Sequence, residues 1–121
     1  MSAASLSRFQ ALQTAVQRFN EERDWAQYHG VKNLTMALAS EVGELLALLR
    51  WVPSEGAERG RLDAELLARI EDELGDITLV LLTLALRLDM DLLELGDKKL
   101  RRNAEKYPVE ASRGRAEPSH E

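Results

Sequence analysis

Two carboxylates stand where helical periodicity calls for hydrophobes. Glu41 lies between Leu38 and Leu45, and Glu73 lies between Ile70 and Ile77. Each has an acidic companion three residues on, Glu44 and Asp76, which a helix places on nearly the same face. A buried carboxylate is costly unless it is paired, and neighbouring acids repel one another. At about 4 Å and an effective dielectric near 20, one like-charge pair costs about 4 kcal/mol. Two such pairs facing each other require cations, and an all-oxygen donor set suits a hard ion, Mg²⁺ or Mn²⁺. The competing arrangement pairs each acid with an Arg or Lys, or turns it to solvent at the edge of the apolar stripe. A carboxylate di-iron site would need Glu-x-x-His on two helices. His29 and His120 are the only histidines and neither follows a Glu at that spacing.

Metal-binding acids imply a charged ligand, and the chain supplies cations for its far end. Lys98, Lys99, Arg101, Arg102 and Lys106 crowd one stretch. Such a run alone reads as a solvated last helix. Beside an acidic metal cluster it suggests a polyphosphate, with metal neutralising some phosphates and Lys or Arg holding others. Trp25 and Trp51, the two tryptophans, each close a polar boundary segment. They are either core caps or an aromatic wall for a base.

These residues must be positioned by helices. Apolar periodicity predicts a first helix from Ser5 as N-cap, with Leu6, Phe9, Leu12, Val16 and Phe19 on one stripe. The second covers Lys32 to Val52, with Leu34, Leu38, Glu41, Leu45, Leu48 and Val52 aligned, and Pro53-Ser54-Glu55-Gly56 stops it. The third, Leu62 to Leu88, aligns Leu66, Ile70, Glu73, Ile77, Leu81, Leu84 and Leu88. The fourth starts at Asp91 as N-cap and runs to Lys106. No strand pattern is evident, so the fold class is all-α, a four-helix bundle. Residues 1–108 form one domain in this reading, and 109–121 an unstructured tail. The segment Ile77 to Leu86 is apolar on almost every face, more than a small bundle can cover, so a second subunit is expected to share the helical core.

Composition sets outer bounds. The 121 residues suit one domain, and 45% apolar with 31% charged residues suits a globular one. Seven Gly, three Pro and two each of Trp, Tyr and Phe argue against a β sandwich or barrel. The absence of cysteine excludes disulfides, zinc–thiolate sites and thiol catalysis. The formal charge of −5 opposes nonspecific nucleic-acid binding. No apolar stretch reaches the length of a membrane span, and no signal pattern opens the chain, so a cytoplasmic location is expected.

Glu41-Val42-Gly43-Glu44 followed by Glu73-Leu74-Gly75-Asp76 resembles the paired acidic motifs of the all-α, MazG-like nucleoside triphosphate pyrophosphohydrolases. Phe19 to Trp25, Gln27-Tyr28-His29, Lys32-Asn33-Leu34, Arg50-Trp51, and then Lys99, Asn103 and Tyr107-Pro108 are similar to the dCTP pyrophosphatase branch, over about residues 5–108. The resemblance implies a homotetramer, a dimer of dimers with sites at subunit interfaces. It implies Mg²⁺ on Glu41, Glu44, Glu73 and Asp76, a nucleobase against Trp25 and Trp51, and Lys99, Asn103 and Tyr107 near sugar and phosphates. The expected reaction converts a dNTP, dCTP or a modified dCTP, to the monophosphate and pyrophosphate. Glu41 or Glu44 would activate the water. A dUTP or broad-specificity pyrophosphatase and a non-enzymatic helical module are the alternatives. Val16 and Val80 stand where animal relatives carry polar residues, so the base is expected to be held by stacking more than by directional hydrogen bonds.

Overall fold

The structure, a computed structural model, describes residues 2–115. All regular structure among these residues is helical. The helices are α1 (Ala3–Glu22), α2 (Val31–Leu49), α3 (Ala64–Arg87), α4 (Leu92–Lys106) and the short α5 (Val109–Ser112), with single 3-10 turns at Ala26–Tyr28 and Ser54–Gly56. Among the described residues, no helix is long and apolar enough to cross a membrane.

Short polar side chains set three of the helix starts. Asp63 Oδ1 accepts from the Leu66 N–H at 2.7 Å to open α3. Asp91 Oδ1 accepts from Leu93 and Glu94 N–H groups at 2.9 and 3.2 Å to open α4. Each satisfies backbone donors that have no partner within the helix. The first helix starts earlier than expected: Ser2, not Ser5, is the N-cap, and its Oγ accepts from the Ser5 N–H at 3.2 Å. The helix α2 ends at Leu49 rather than Val52, because residues 50–52 turn ahead of Pro53.

The described residues fall into two compact units that divide after Asp89. In the first, α3 packs against both α1 and α2. Val16, Leu34, Leu82 and Ala85 form its buried centre. The stripe on α2 is as read: Leu34 is buried and Leu38, Glu41, Leu45 and Leu48 are half-buried. On α3 the stripe drifts. Leu82 is 1% exposed, whereas Leu81 and Leu88 are exposed. The second half of α3 meets α1 as well as α2, since Asn20 hydrogen-bonds Thr83 across that contact, and this turns a different face inward.

In the second unit, α4 buries none of its residues. Lys98 pairs with Glu94 one turn earlier at 3.2 Å, and Lys106 Nζ lies 5.7 Å from the centre of the Tyr107 ring. Residues 109–112, expected to be unstructured, form one helical turn whose first N–H groups follow Pro108, a favourable helix entry. The remainder of the expected tail, 116–121, lies outside the described residues.

Replacing Asp63 by Ala is expected to lower stability by about 1 kcal/mol, the usual loss for an N-cap carboxylate. Thermal unfolding followed by circular dichroism checks this, and an unchanged midpoint would show that the cap is dispensable.

Candidate active site

The helices α2 and α3 bring the two acidic motifs together. Carboxylate oxygens of Glu41, Glu73 and Asp76 all lie within 4.8 Å of one another. Glu41 and Glu73, the two residues that interrupt the apolar stripes, are half-buried. One oxygen of each, Oε2, is buried with no hydrogen-bond partner. Glu44 is exposed one turn beyond Glu41, and its carboxylate acts on both half-buried carboxyls to raise their pKa. No Lys or Arg pairs with any of the four acids among the described residues. The arrangement in which each acid finds a basic partner is therefore not the one adopted.

The electrostatic consequence falls on Glu41. Burial, then hydrogen bonding to Glu73 and Glu44, then the charges of Glu44 and Asp76 raise its pKa from 4.5 to about 7. Glu73 is raised as well, chiefly by burial, with Glu44 and Asp76 adding and the hydrogen bond to Glu41 opposing. The cluster thus retains a proton that isolated carboxyls would have lost. Orphaned buried oxygens, an all-oxygen donor set and unrelieved repulsion are the conditions that a hard divalent cation relieves. The donor set fits such an ion.

Beside the cluster opens a cavity of about 570 Å³, and Asp76 belongs to both. Its walls come from α1 (Val16, Phe19, Asn20), the following turn (Trp25, Tyr28, His29), the start of α2 (Asn33, Leu34) and α3 (Leu79, Val80, Thr83). Trp25 reaches it through a helix end of the Schellman type. Asp24 adopts φ +53°. Its N–H donates to the Glu21 carbonyl, and that of Trp25 reaches back to Asn20, both at 3.0 Å. The chain therefore reverses within two residues and sets the Trp25 ring edge-on against Phe19, centroids 5.6 Å apart. The Arg23 guanidinium covers the Phe19 ring at 3.6 Å.

Trp51 is placed otherwise. It lies after α2, 84% exposed, with the Arg50 guanidinium 4.9 Å from its ring centre, and it does not line the cavity. The aromatic wall within this chain is Trp25 with Phe19 and Tyr28. Lys99, Asn103 and Tyr107 sit on the second half of α4 and its end, at spacings of four that share a helix face. Asn103 accepts the Tyr107 N–H through its carbonyl at 2.8 Å.

The sequence reading did not assign Asn20, Asn33 or Thr83 to the site. The cavity that Val16 and Val80 make apolar also carries these polar groups. Asn33 Nδ2 donates to the Tyr28 carbonyl at 3.2 Å, tying α2 to the turn that carries Trp25. The available signal was Thr83, a polar interruption of the apolar run from Ile77 to Leu86.

Comparison with known proteins agrees with this geometry. No family model matches the chain. Bovine (Bos taurus) dCTP pyrophosphatase 1 is 41% identical over 98 residues, 81% of this chain and 58% of that protein. The human (Homo sapiens) protein of the same name is 38% identical over 96 residues, 78% of this chain and 56% of that protein. The chain thus spans under two thirds of the curated relatives it matches. The crystal structure of a pyrophosphatase from Archaeoglobus fulgidus superposes with a TM-score of 0.73 at 30% identity, covering 84% of this chain and 93% of that one. The chain belongs to the all-α, MazG-like pyrophosphohydrolase superfamily.

Stability should report the strained cluster. Glu41 and Glu73 hold protons more tightly folded than unfolded, so their stabilising contribution is complete below the unfolded pKa, 4.5 for Glu41, and is lost as pH rises through about 7. In chelator, the melting temperature should fall across that window, and Mg²⁺ should restore it at pH 7. Glu41→Gln should flatten the pH dependence and shrink the Mg²⁺ effect. A wild-type profile that rises with pH in chelator would contradict the assignment.

Proposed function

We propose that the protein hydrolyses a deoxynucleoside triphosphate, dCTP or a modified dCTP, to the monophosphate and pyrophosphate, and that it serves to cleanse a cytoplasmic nucleotide pool. One observation carries the proposal: Asp76 is shared between an acidic cluster with orphaned buried oxygens and an aromatic-walled cavity of about 570 Å³, roomy enough for a nucleoside. The names of the relatives support the choice of reaction and substrate.

Glu41, Glu44, Glu73 and Asp76 would hold Mg²⁺, with Mn²⁺ as a substitute. When bound, the ion supplies charge neutralisation for the triphosphate and for the transition state. The chain's own groups do the rest. Trp25 offers the base a flat apolar face, with Phe19 fixing its tilt. A water attacks the α-phosphorus, the bond from that phosphorus to the bridging oxygen breaks, and pyrophosphate leaves. The water's proton passes to Glu41 or Glu44. Lys99, Asn103 and Tyr107 would bind phosphates and sugar, and Trp51 would add a second aromatic face.

Those last roles fit an assembly, which we propose is a homotetramer. Met36, Val42 and Leu46 on α2 and Leu74, Leu79 and Leu81 on α3 are all exposed in the single chain. Exposed large apolar side chains in this number on two packed helices suit an interface with another copy.

Incubation with Mg²⁺ and a panel of dCTP, 5-modified dCTP, dUTP and dTTP, with both products quantified, tests the reaction. Monophosphate and pyrophosphate in equal amounts are expected. Glu41→Gln and Glu73→Gln should each reduce kcat by at least about 100-fold while the helical spectrum persists. Near wild-type turnover in either variant would remove these carboxylates from the chemistry. Light scattering should find an oligomer at micromolar concentration, and a stable monomer would remove the assembly.

A further inference from the structure

The cavity holds one polar device whose orientation is dictated by its own hydrogen bonds. Thr83 Oγ1 donates its single proton to the Leu79 carbonyl at 2.8 Å. The same oxygen can therefore only accept from elsewhere. Asn20 meets it with Nδ2, donating at 3.3 Å across the α1–α3 contact. The carboxamide therefore presents Nδ2, not Oδ1, to Thr83. Nδ2 is tethered to Thr83, and Oδ1 accepts no hydrogen bond among the described residues. Asn20 is half-buried and lines the cavity together with Thr83, between the apolar surfaces of Val16 and Val80.

The position along α3 orients the device relative to the acids. Thr83 follows Asp76 by seven residues, two helical turns and about 10 Å along the axis. A nucleotide with its phosphates at the Asp76 end would direct the outer edge of its base toward Asn20. That edge is where cytosine and uracil differ. Cytosine offers an amino donor beside an unprotonated ring nitrogen; uracil and thymine offer a keto acceptor beside a ring N–H.

We propose that Asn20 is the specificity-determining residue for the base, and that Thr83 is its positioning residue. The inference rests on the nucleotide reading above. Asn20 Oδ1 accepts from the exocyclic amino group of a cytosine-type base, while the second N–H of Nδ2 remains available to its ring nitrogen. A keto base in the same seat presents the reverse order. Matching it requires the amide to turn over, which withdraws Nδ2 from Thr83 and places two acceptors, Asn20 Oδ1 and Thr83 Oγ1, against each other. The discrimination therefore has a directional source that the two valines alone would not provide.

Calorimetric binding of dCMP and dUMP to the full chain tests this independently of turnover. The wild type should bind dCMP at least about 10-fold more tightly than dUMP, the effect of roughly one directional hydrogen bond. Thr83→Val keeps the shape but removes the acceptor, and should bring the two affinities to within about threefold. Thr83→Ser returns the hydroxyl and should restore the preference, which a purely structural role for the threonine methyl would not do. Asn20→Ala should abolish it and guards against misfolding of the valine variant. Equal binding of the two nucleotides by the wild type, no binding of either, or an unchanged ratio in both Thr83→Val and Asn20→Ala would overturn the proposal. If the ratio behaves as expected while the wild type hydrolyses no triphosphate, the role of Asn20 stands and the proposed reaction falls.

Discussion

Mutual repulsion of carboxylates held in the seam between two packed helices is the constraint around which the rest of the structure is arranged. Glu41 and Glu73 occupy positions that packing alone would give to leucine or isoleucine, and each keeps a buried oxygen without a partner. Such groups lower stability unless something compensates. Nothing basic does so among the described residues, and the chain responds by retaining a proton on Glu41 up to about pH 7. The unpaired oxygens and the raised pKa are two expressions of one arrangement. Both would be relieved by a compact positive charge, which can serve several carboxylates at once.

The acids depend on α3 twice over. One end of this helix supplies Glu73 and Asp76 to the cluster, and the other supplies Thr83 to the cavity. Its packing against α2 closes the cluster, while its packing against α1 closes the cavity. A rigid helix thereby sets the separation between the acidic cluster and the aromatic-walled cavity, and Asp76 stands where they meet. The Trp25 wall depends on the backbone instead. The left-handed turn at Asp24 reverses the chain, and the Trp25 N–H closes it onto Asn20, the residue whose side chain reaches Thr83. A local helix end and a long-range contact thus share one residue at the cavity.

The first unit buries little for its length. Its centre consists of Val16, Leu34, Leu82 and Ala85, while Leu46 on α2 is 65% exposed. The core that three helices can build around a cavity and an acid cluster is small, because both interrupt the apolar surface. The proposed assembly follows from this: the exposed faces of α2 and α3 lie on the helices that carry the acids, so covering them would also shield the site from water.

Much of the architecture was determined by the sequence alone. Four long helices, the cap at Asp91, and the anomalous placement of Glu41 and Glu73 all depend on residue types and periodicity within single segments, which a linear pattern records. The pairing of the two acidic motifs could be inferred because one shared cation would offset carboxylates that neither helix could bury alone. Other features were decided only in three dimensions. Trp25 and Trp51 are equivalent in composition, yet the turn at Asp24 puts one in the cavity and the end of α2 leaves the other exposed. The drift of the buried face along α3 depends on α1 arriving at its second half. The bond from Asn20 to Thr83 joins residues separated by 63 positions, and although Thr83 interrupts an apolar run, nothing in the linear pattern pairs it with Asn20. Periodicity reports which face of a helix is turned inward; it carries no information about which partner meets that face, because partner choice is fixed by the crossing of helices in space.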